Sequence, residues 1–186
     1  MVRCWISCSV GFDDFGRRLS PWMGRHVKNV YVPPQSIEMM NDFLVIGYGN
    51  PLRGDDGVGW RVVEALEESL SASSLIAVHQ LTPELAGTIS EVGQVVFVDA
   101  TAGNSPGEVE LFPIGPVTAR AGSHETTPGA LLAMAAELFG RCPPAFMLTI
   151  SGASFELSET LSPPVAEAVP VAVSRVLVEF AKRPIL

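Results

Sequence analysis

The sequence predicts an α/β fold in which helices pack against a mostly parallel central sheet, and three observations support this. Short apolar runs, typical of strands buried on both faces, recur along the chain, for example at residues 43–47 and 95–98. Segments with apolar residues at helical spacing lie between such runs. Helix-start and helix-stop signals, such as Thr127-Pro128 and Gly140, separate the two kinds of segment. Strands that alternate with helices favour a parallel sheet.

The predicted elements follow one another in a simple order. A first strand at residues 43–47 leads into a Gly-rich loop and a helix with Val58, Val62 and Leu66 on one face. A second strand covers residues 75–81, which makes His79 a core or edge histidine, and Thr82-Pro83 starts a short helix. The later elements are strands at residues 95–99, 108–112 (an edge strand) and 145–150, a helix from Thr127 to Gly140, and a final helix capped by Ser162-Pro163.

Composition and charge narrow the class of protein. The 186 residues are 47% hydrophobic and 17% charged, which is enough apolar surface for a sizeable core. No apolar run approaches the ~18 residues of a transmembrane helix, so we expect no membrane partner. The net charge of −8 argues against a nucleic-acid partner. Three cysteines without a CxxC pair favour a cytoplasmic location over a disulfide framework or a zinc knuckle.

The charge distribution predicts a boundary near residue 42. Residues 1–42 carry a net charge of +1 and show no hydrophobic periodicity, whereas residues 43–186 carry −9. The first segment lacks the basic start and the small-residue cleavage site of a signal peptide. We expect it to be a disordered tail, or translated upstream sequence before a natural start at Met39 or Met40. Residues 43–186 are expected to form a single α/β domain.

Three loops at one edge of the predicted sheet carry polar side chains. Ligands in such sheets bind beyond the carboxyl ends of the strands. Asp55 and Asp56 follow the first strand, Asp99 ends the third, and His124 precedes the third helix. Two carboxylates and an imidazole suit zinc, nickel or cobalt, and they could equally serve as an acid/base pair with an orienting histidine. Singly, either aspartate of the first loop could cap the following helix, and the histidine could be solvated.

Other chemistries are disfavoured by missing motifs. Residues 47–52 lack the third glycine of GxGxxG, and two carboxylates follow where a pyrophosphate would bind. The sequence contains no GxxxxGK[ST], HExxH or GxSxG, which argues against P-loop, zincin and α/β-hydrolase chemistry. We therefore expect no organic cofactor, and a nucleotide-binding oxidoreductase is the less favoured alternative.

Residues 47–59, GYGNPLRGDDGVG, resemble the motif of the [NiFe] hydrogenase maturation proteases, the endopeptidases that trim the hydrogenase large subunit. The resemblance continues through residues 97–100, Ser123-His124, residues 146–152 and residues 161–163, and it covers about residues 43–182. Residues 79–86, HQLTPELA, resemble the branch that serves bidirectional, NAD-linked hydrogenases. Residues 1–42 have no counterpart in the family.

The resemblance implies a three-layer α/β/α sandwich around a twisted sheet of about five strands. It implies an endopeptidase that removes a short C-terminal extension from the nickel-loaded precursor of a hydrogenase large subunit, with the nickel supplied by the substrate. By motif position, Asp56, Asp99 and His124 become the nickel ligands and catalytic residues, although some members carry glutamate at the first position. The alternative is a nickel-dependent maturation factor that binds the precursor without cleaving it.

The remaining motif residues are candidates for substrate binding. Asn50 could hydrogen-bond a peptide carbonyl or hold the loop together. Gly49 and Gly54 could let the backbone approach a substrate closely, or simply adopt positive φ. Asp55 is the fourth candidate of this group, beside its alternative role as a helix cap.

Overall fold

The structure, a computed structural model, describes residues 43–103, 105–117 and 126–181. A five-stranded sheet runs through this part of the chain, in the order β2-β1-β3-β5-β4. Strand β4 is antiparallel to β5 and the other pairs are parallel, which confirms the predicted sheet. The strands are β1 (Phe43–Tyr48), β2 (Leu75–Val78), β3 (Gln94–Ala102), β4 (Val109–Ile114) and β5 (Ala145–Gly152).

Helices cover both faces of the sheet, as expected for a three-layer sandwich. Successive residues of β1 alternate between two cores: Phe43 and Val45 pack into one, and Leu44 and Ile46 into the other. Helices α1 and α4 contribute to the first core, and α2 and α3 to the second. The helices are α1 (Val58–Leu66), α2 (Leu85–Ser90), α3 (Pro128–Phe139) and α4 (Pro163–Ala181).

Helix α3 begins and ends where its sequence signals predict. The Thr127 hydroxyl oxygen accepts a hydrogen bond from the Ala130 N–H at 3.2 Å, and Pro128 occupies the first turn. Gly140 ends the helix in the left-handed conformation, with φ of 70°. In the described part of the chain, no helix combines the length and the hydropathy that crossing a membrane requires.

Two local predictions were wrong, the end of β2 and the start of α2. Strand β2 ends at Val78 and not at residue 81, because its neighbour β1 ends at the paired residue Tyr48. Helix α2 begins at Leu85, with no side-chain cap from Thr82. Helix α4 begins at Pro163, directly after Ser162, as predicted, and the Ser162 hydroxyl donates a hydrogen bond to Asp55, 107 residues earlier. The end of β2 and the Ser162–Asp55 hydrogen bond depend on tertiary neighbours that local sequence does not reveal.

Two sequence predictions lie outside the described residues. One is the tail or upstream segment over residues 1–42, and the other is the placement of His124.

Candidate functional site

A cleft of about 330 Å³ opens beyond the carboxyl ends of β1, β2 and β3. This is the edge at which α/β sheets bind ligands. Its lining combines two predicted site aspartates with residues from the ends of β1 and β2 and from the start of α3. The lining residues are Tyr48, Gly49, Asp56, His79, Gln80, Leu81, Asp99 and Thr126.

Asp56 is held at the cleft by the loop that follows β1. It belongs to a single 3-10 turn over Gly54–Gly57, and its Oδ2 accepts a hydrogen bond from the Asn50 N–H at 2.8 Å. Gly49 has φ of 125°, and the Asp56 carbonyl oxygen occupies the space that a side chain at Gly49 would need. Among the described residues, Asp56 Oδ1 has no hydrogen-bond partner. One carboxylate oxygen is therefore oriented by the loop, and the other is available to a ligand.

Asp55, the adjacent residue, is fully buried on the other side of the turn. Its Oδ2 accepts hydrogen bonds from the Ala153 and Ser154 N–H groups and from the Ser162 hydroxyl at 2.7, 2.9 and 2.8 Å. Its Oδ1 accepts from the Ser162 N–H at 2.7 Å. Burial alone would raise the pKa of Asp55, but these hydrogen bonds outweigh it and lower the pKa below its usual value. The carboxylate ties the β1–α1 loop to the β5–α4 loop and does not line the cleft.

Asp99 and Tyr48 are neighbours on adjacent strands. Gly47 pairs with Val98 in the parallel register, so the next residues of β1 and β3 lie side by side. The Ala100 N–H donates a hydrogen bond to the Asp99 carboxylate at 2.8 Å, and the neighbouring Tyr48 hydroxyl, whose oxygen lies 4.0 Å from the Met147 sulfur, lowers the pKa of Asp99. Burial raises the pKa of Asp99 to about 6, and the negative charge of Asp56 adds to this effect. Burial and then the charge of Asp99 raise the pKa of Tyr48. Asp99 is therefore a carboxyl group that exchanges its proton near neutral pH.

His79 was predicted to be a core or edge histidine, and this was wrong. The residue lies just beyond β2, is exposed, and lines the cleft. Its ring meets the edge of Trp60 with centroids 5.4 Å apart. The Trp60 Nε1–H donates to the carbonyl oxygens of Gly49 and Val78, at 3.0 and 3.2 Å. Trp60 thus ties together the two loops that carry Asp56 and His79.

The structure favours loop-stabilising roles for Asn50 and Gly54. The Asn50 side-chain oxygen accepts a hydrogen bond from the Leu52 N–H at 3.0 Å, within the same loop. Gly54 has φ of 55°, and its N–H donates to the Ser158 carbonyl at 2.7 Å.

Tyr48 and Trp60 were not identified from the sequence as residues of the site. Strand alternation offered a signal for Tyr48, because it lies two residues after the buried Ile46 on the same face.

The predicted metal-ligand set is only partly within the described residues. Asp56 and Asp99 both line the cleft, whereas His124 lies outside the part of the chain that the structure describes. Within residues 43–103, 105–117 and 126–181, no three His, Cys, Asp or Glu side chains are grouped closely enough to hold a metal ion. Two facing carboxylates can contribute metal ligands or act as an acid and a base. The three-residue ligand set stays a prediction.

Solved structures of hydrogenase maturation peptidases share this fold. The hydrogenase maturating endopeptidase HybD from E. coli has a TM-score of 0.60 at 22% identity, over 75% of this chain and 92% of that one. The [NiFe] hydrogenase maturation protease HycI from Thermococcus kodakarensis has a TM-score of 0.58 at 23% identity, over 77% and 94%. A hydrogenase 2 maturation peptidase from Thaumarchaeota archaeon SCGC_AB-539-E09 has a TM-score of 0.56 at 24% identity, over 76% and 99%. No protein-family model and no curated protein sequence matches the chain.

Proposed function

We propose that the chain is an endopeptidase of the [NiFe] hydrogenase maturation protease family. In this proposal it removes a short C-terminal extension from the nickel-loaded large-subunit precursor and recognises the substrate's nickel. One observation carries the proposal: two motif aspartates, Asp56 and Asp99, line a single cleft at the ligand-binding edge of a fold that solved maturation peptidases share. Both of those proteins are named for a role in hydrogenase maturation.

The two carboxylates suit different tasks in peptide hydrolysis. Asp56 Oδ1 is available as a ligand to the substrate's nickel, and His124 is the candidate to complete the set. Asp99, whose pKa burial raises to about 6, is suited to accept a proton from the attacking water and to pass it to the leaving amine. A metal ion at such a site supplies Lewis-acid polarisation of the scissile carbonyl.

The environment of the cleft adds to this division of roles. The Ala100 N–H orients the Asp99 carboxylate, and the Asn50 N–H orients that of Asp56. Groups held in this way need little reorganisation when a substrate arrives.

Since three cysteines without a CxxC pair fit a reducing compartment, we infer that processing takes place in the cytoplasm.

The test is an in vitro processing assay with a nickel-loaded large-subunit precursor. The precursor mass is measured before and after incubation with the wild-type chain, with Asp99→Ala, or with Glu159→Ala, an exposed carboxylate outside the cleft. We expect the wild type and Glu159→Ala to release a C-terminal peptide, and Asp99→Ala to release none.

Two other outcomes would contradict the proposal. An unchanged precursor mass, with the precursor co-eluting with the wild-type chain, would identify a maturation factor that binds without cutting. Full activity of Asp99→Ala would show that Asp99 takes no part in the reaction, which would contradict the proposed proton transfer.

A further inference from the structure

Strand β2 is an edge of the sheet, and in the described part of the chain no strand lies on its outer side. It pairs with β1 alone. All four of its residues are half-buried, whereas the first five residues of β1 are buried. An open edge of this kind presents backbone N–H and carbonyl groups with which another extended segment can pair. Strand addition is an established mode of peptide recognition at such edges.

Ala77 presents its backbone groups on the outer side of β2. The neighbouring Val78 carbonyl lies on the inner side, because the Trp60 Nε1–H donates both to it, at 3.2 Å, and to the carbonyl of Gly49, directly after β1, at 3.0 Å. Successive residues of a strand direct their backbone groups to opposite sides. The N–H and the carbonyl of Ala77 therefore point away from β1, toward an added strand.

The open edge leads directly into the cleft. After Val78 the chain continues into residues 79–81, which line the cleft. A groove of about 380 Å³ lies between β2 and α1, with Ala77 and Trp60 among its lining residues. The Trp60 ring meets that of His79 with centroids 5.4 Å apart, so this ring pair separates the groove from the cleft. A peptide that leaves the cleft over His79 thus reaches the outer side of β2.

We propose that the C-terminal extension of the precursor adds to β2 as an antiparallel strand. The inference rests on the proposed function and specifies how the removed part of the substrate is held. In the proposed reaction the nickel anchors the large subunit in the cleft, so the chain after the cut is the part that is free to leave it. Because β2 runs toward the cleft, an extension that leaves the cleft along β2 runs antiparallel to it. Ala77 and one residue of the extension then exchange two hydrogen bonds.

Strand spacing determines which part of the extension makes this contact. Neighbouring strands lie about 4.8 Å apart, and both β2 and β1 separate an added strand from β3, which carries Asp99. The paired residues therefore lie about 14 Å from Asp99. An extended chain advances by about 3.3 Å per residue, so pairing begins about four residues after the cut. Recognition through main-chain groups depends on the backbone of these residues and tolerates most of their side chains.

The test is a proline and alanine scan of the extension. In the nickel-loaded precursor, each residue from about the fourth to the ninth after the cut is replaced singly by Pro, which lacks an N–H, and by Ala, which keeps it. Strand β2 has four residues, of which every second one faces outward, so we expect two sensitive positions that are two residues apart. Pro at these positions should lower kcat/KM by about tenfold, and Ala should change it by less than about twofold.

Ala77→Pro and Ala77→Val are the matched pair of enzyme variants. Pro removes the outward N–H, whereas Val, of similar size, keeps it. Ala77→Pro should lower kcat/KM for the unmodified precursor by about tenfold and have little further effect on precursors that carry Pro at a sensitive position. Ala77→Val should process every precursor like the wild type. If Ala77→Pro fails to fold, the scan of the extension decides alone.

Three results would overturn the inference and leave the proposed function intact. The first is a scan in which Pro has no effect, or lowers kcat/KM without the two-residue spacing. The second is equal kcat/KM for the two Ala77 variants. The third is a wild-type chain that is a dimer by size-exclusion chromatography and a monomer as Ala77→Pro, which would place a second copy on β2. No cleavage of any precursor by the wild type would contradict the proposed function itself.

Discussion

Asp55 and Asp56 are adjacent in the chain, but their carboxylates have opposite surroundings. Asp55 is buried and accepts four hydrogen bonds from residues 153–162, whereas Asp56 faces the cleft. The sequence could not separate them, because their difference depends on donors about a hundred residues away. Buried Asp55 fixes the turn that holds Asp56 at the cleft. Substitutions at the two positions should therefore affect different properties, stability at Asp55 and activity at Asp56.

Asp55→Asn should lower the free energy of unfolding at pH 7 by about 2–4 kcal/mol, because an amide group would face N–H donors in a buried site. The folded-state pKa of Asp55 is lowered, so the carboxylate stabilises the fold above the unfolded pKa of about 4, and this contribution is lost as the pH falls through the folded pKa. Urea denaturation at pH 7 and at pH 3 should show a smaller difference between variant and wild type at the lower pH.

Glu159→Gln is the control for this measurement, since Glu159 is exposed in the β5–α4 loop that Asp55 contacts. It should change the unfolding free energy by less than about 0.5 kcal/mol. If Asp55→Asn were equally mild, the four hydrogen bonds would not hold the turn together.

Asp99→Asn should stabilise the fold while it abolishes processing. The folded-state pKa of Asp99 is raised to about 6, so ionising this carboxyl destabilises the folded protein. This destabilisation is absent below pH 4, where Asp99 is protonated in both the folded and the unfolded state. It is complete above pH 6, where it lowers the unfolding free energy by about 3 kcal/mol. Asparagine carries no charge, and the variant should therefore exceed the wild type in unfolding free energy by about 1–3 kcal/mol at pH 7.5 and by little at pH 4.

The comparison uses urea denaturation at both pH values, with Glu110→Gln as an exposed control on β4. The control should follow the wild type at each pH. If the Asp99→Asn variant had a lower unfolding free energy than the wild type at pH 7.5, the ionised Asp99 carboxylate would stabilise the fold, which would contradict this prediction.

At the scale of elements, the cleft depends on α1 packing closely against the sheet. Gly59, in the first turn of α1, has the carbonyl oxygens of Tyr48 and Val98 within 2.7 Å of where a Cβ would lie. This close approach places Trp60 beside the ends of β1 and β2, where its Nε1–H reaches the Gly49 and Val78 carbonyls. The helix therefore fixes two walls of the cleft through one side chain.

Trp60→Phe keeps an aromatic ring near His79 but removes both hydrogen bonds from Nε1. We expect a loss of about 1 kcal/mol in unfolding free energy and faster amide exchange in residues 49–56 and 79–84. His79→Ala removes the ring contact and keeps the hydrogen bonds, so it should leave exchange near residues 49–56 unchanged. Hydrogen exchange followed by mass spectrometry compares the two variants. Equal amide exchange in Trp60→Phe and the wild type would show that the Trp60 hydrogen bonds do not stabilise the loops of the cleft.

The elements themselves were largely predictable, since their signals are local. Continuous apolar runs predicted β1 and β3, and Thr127 with Gly140 predicted both ends of α3. The end of β2 was missed because the apolar pattern continues to Leu81, although the hydrogen-bonding partner strand has ended at Tyr48. For the same reason His79 was assigned to a strand and not to the cleft. Local patterns predict which segments form strands, whereas pairing decides where each strand stops.

At the scale of the whole molecule, the parallel order of β2, β1 and β3 brings residues distant in sequence to one edge. The sequence predicted this convergence for Asp56 and Asp99, because parallel strands share their carboxyl edge. The result is a cleft with two negative groups and no described cation among its lining residues. Such a cleft favours a substrate that brings positive charge with it.

Removal of nickel from the precursor should therefore lower its rate of processing by about a hundredfold or more, because the metal supplies several kcal/mol of transition-state stabilisation. The rate is measured by mass spectrometry for the nickel-loaded precursor, for the nickel-free precursor, and for the nickel-free precursor after reloading, which should regain the original rate.

Binding of the loaded and nickel-free precursors to the Asp56→Asn variant is measured in parallel. This variant should weaken binding of the loaded precursor and leave binding of the nickel-free form unchanged, because Asp56 Oδ1 is the available carboxylate oxygen of the first loop. Equal processing of loaded and nickel-free precursor would mean that the cleft recognises the peptide alone, and that its two carboxylates act as an acid and a base without the substrate's metal.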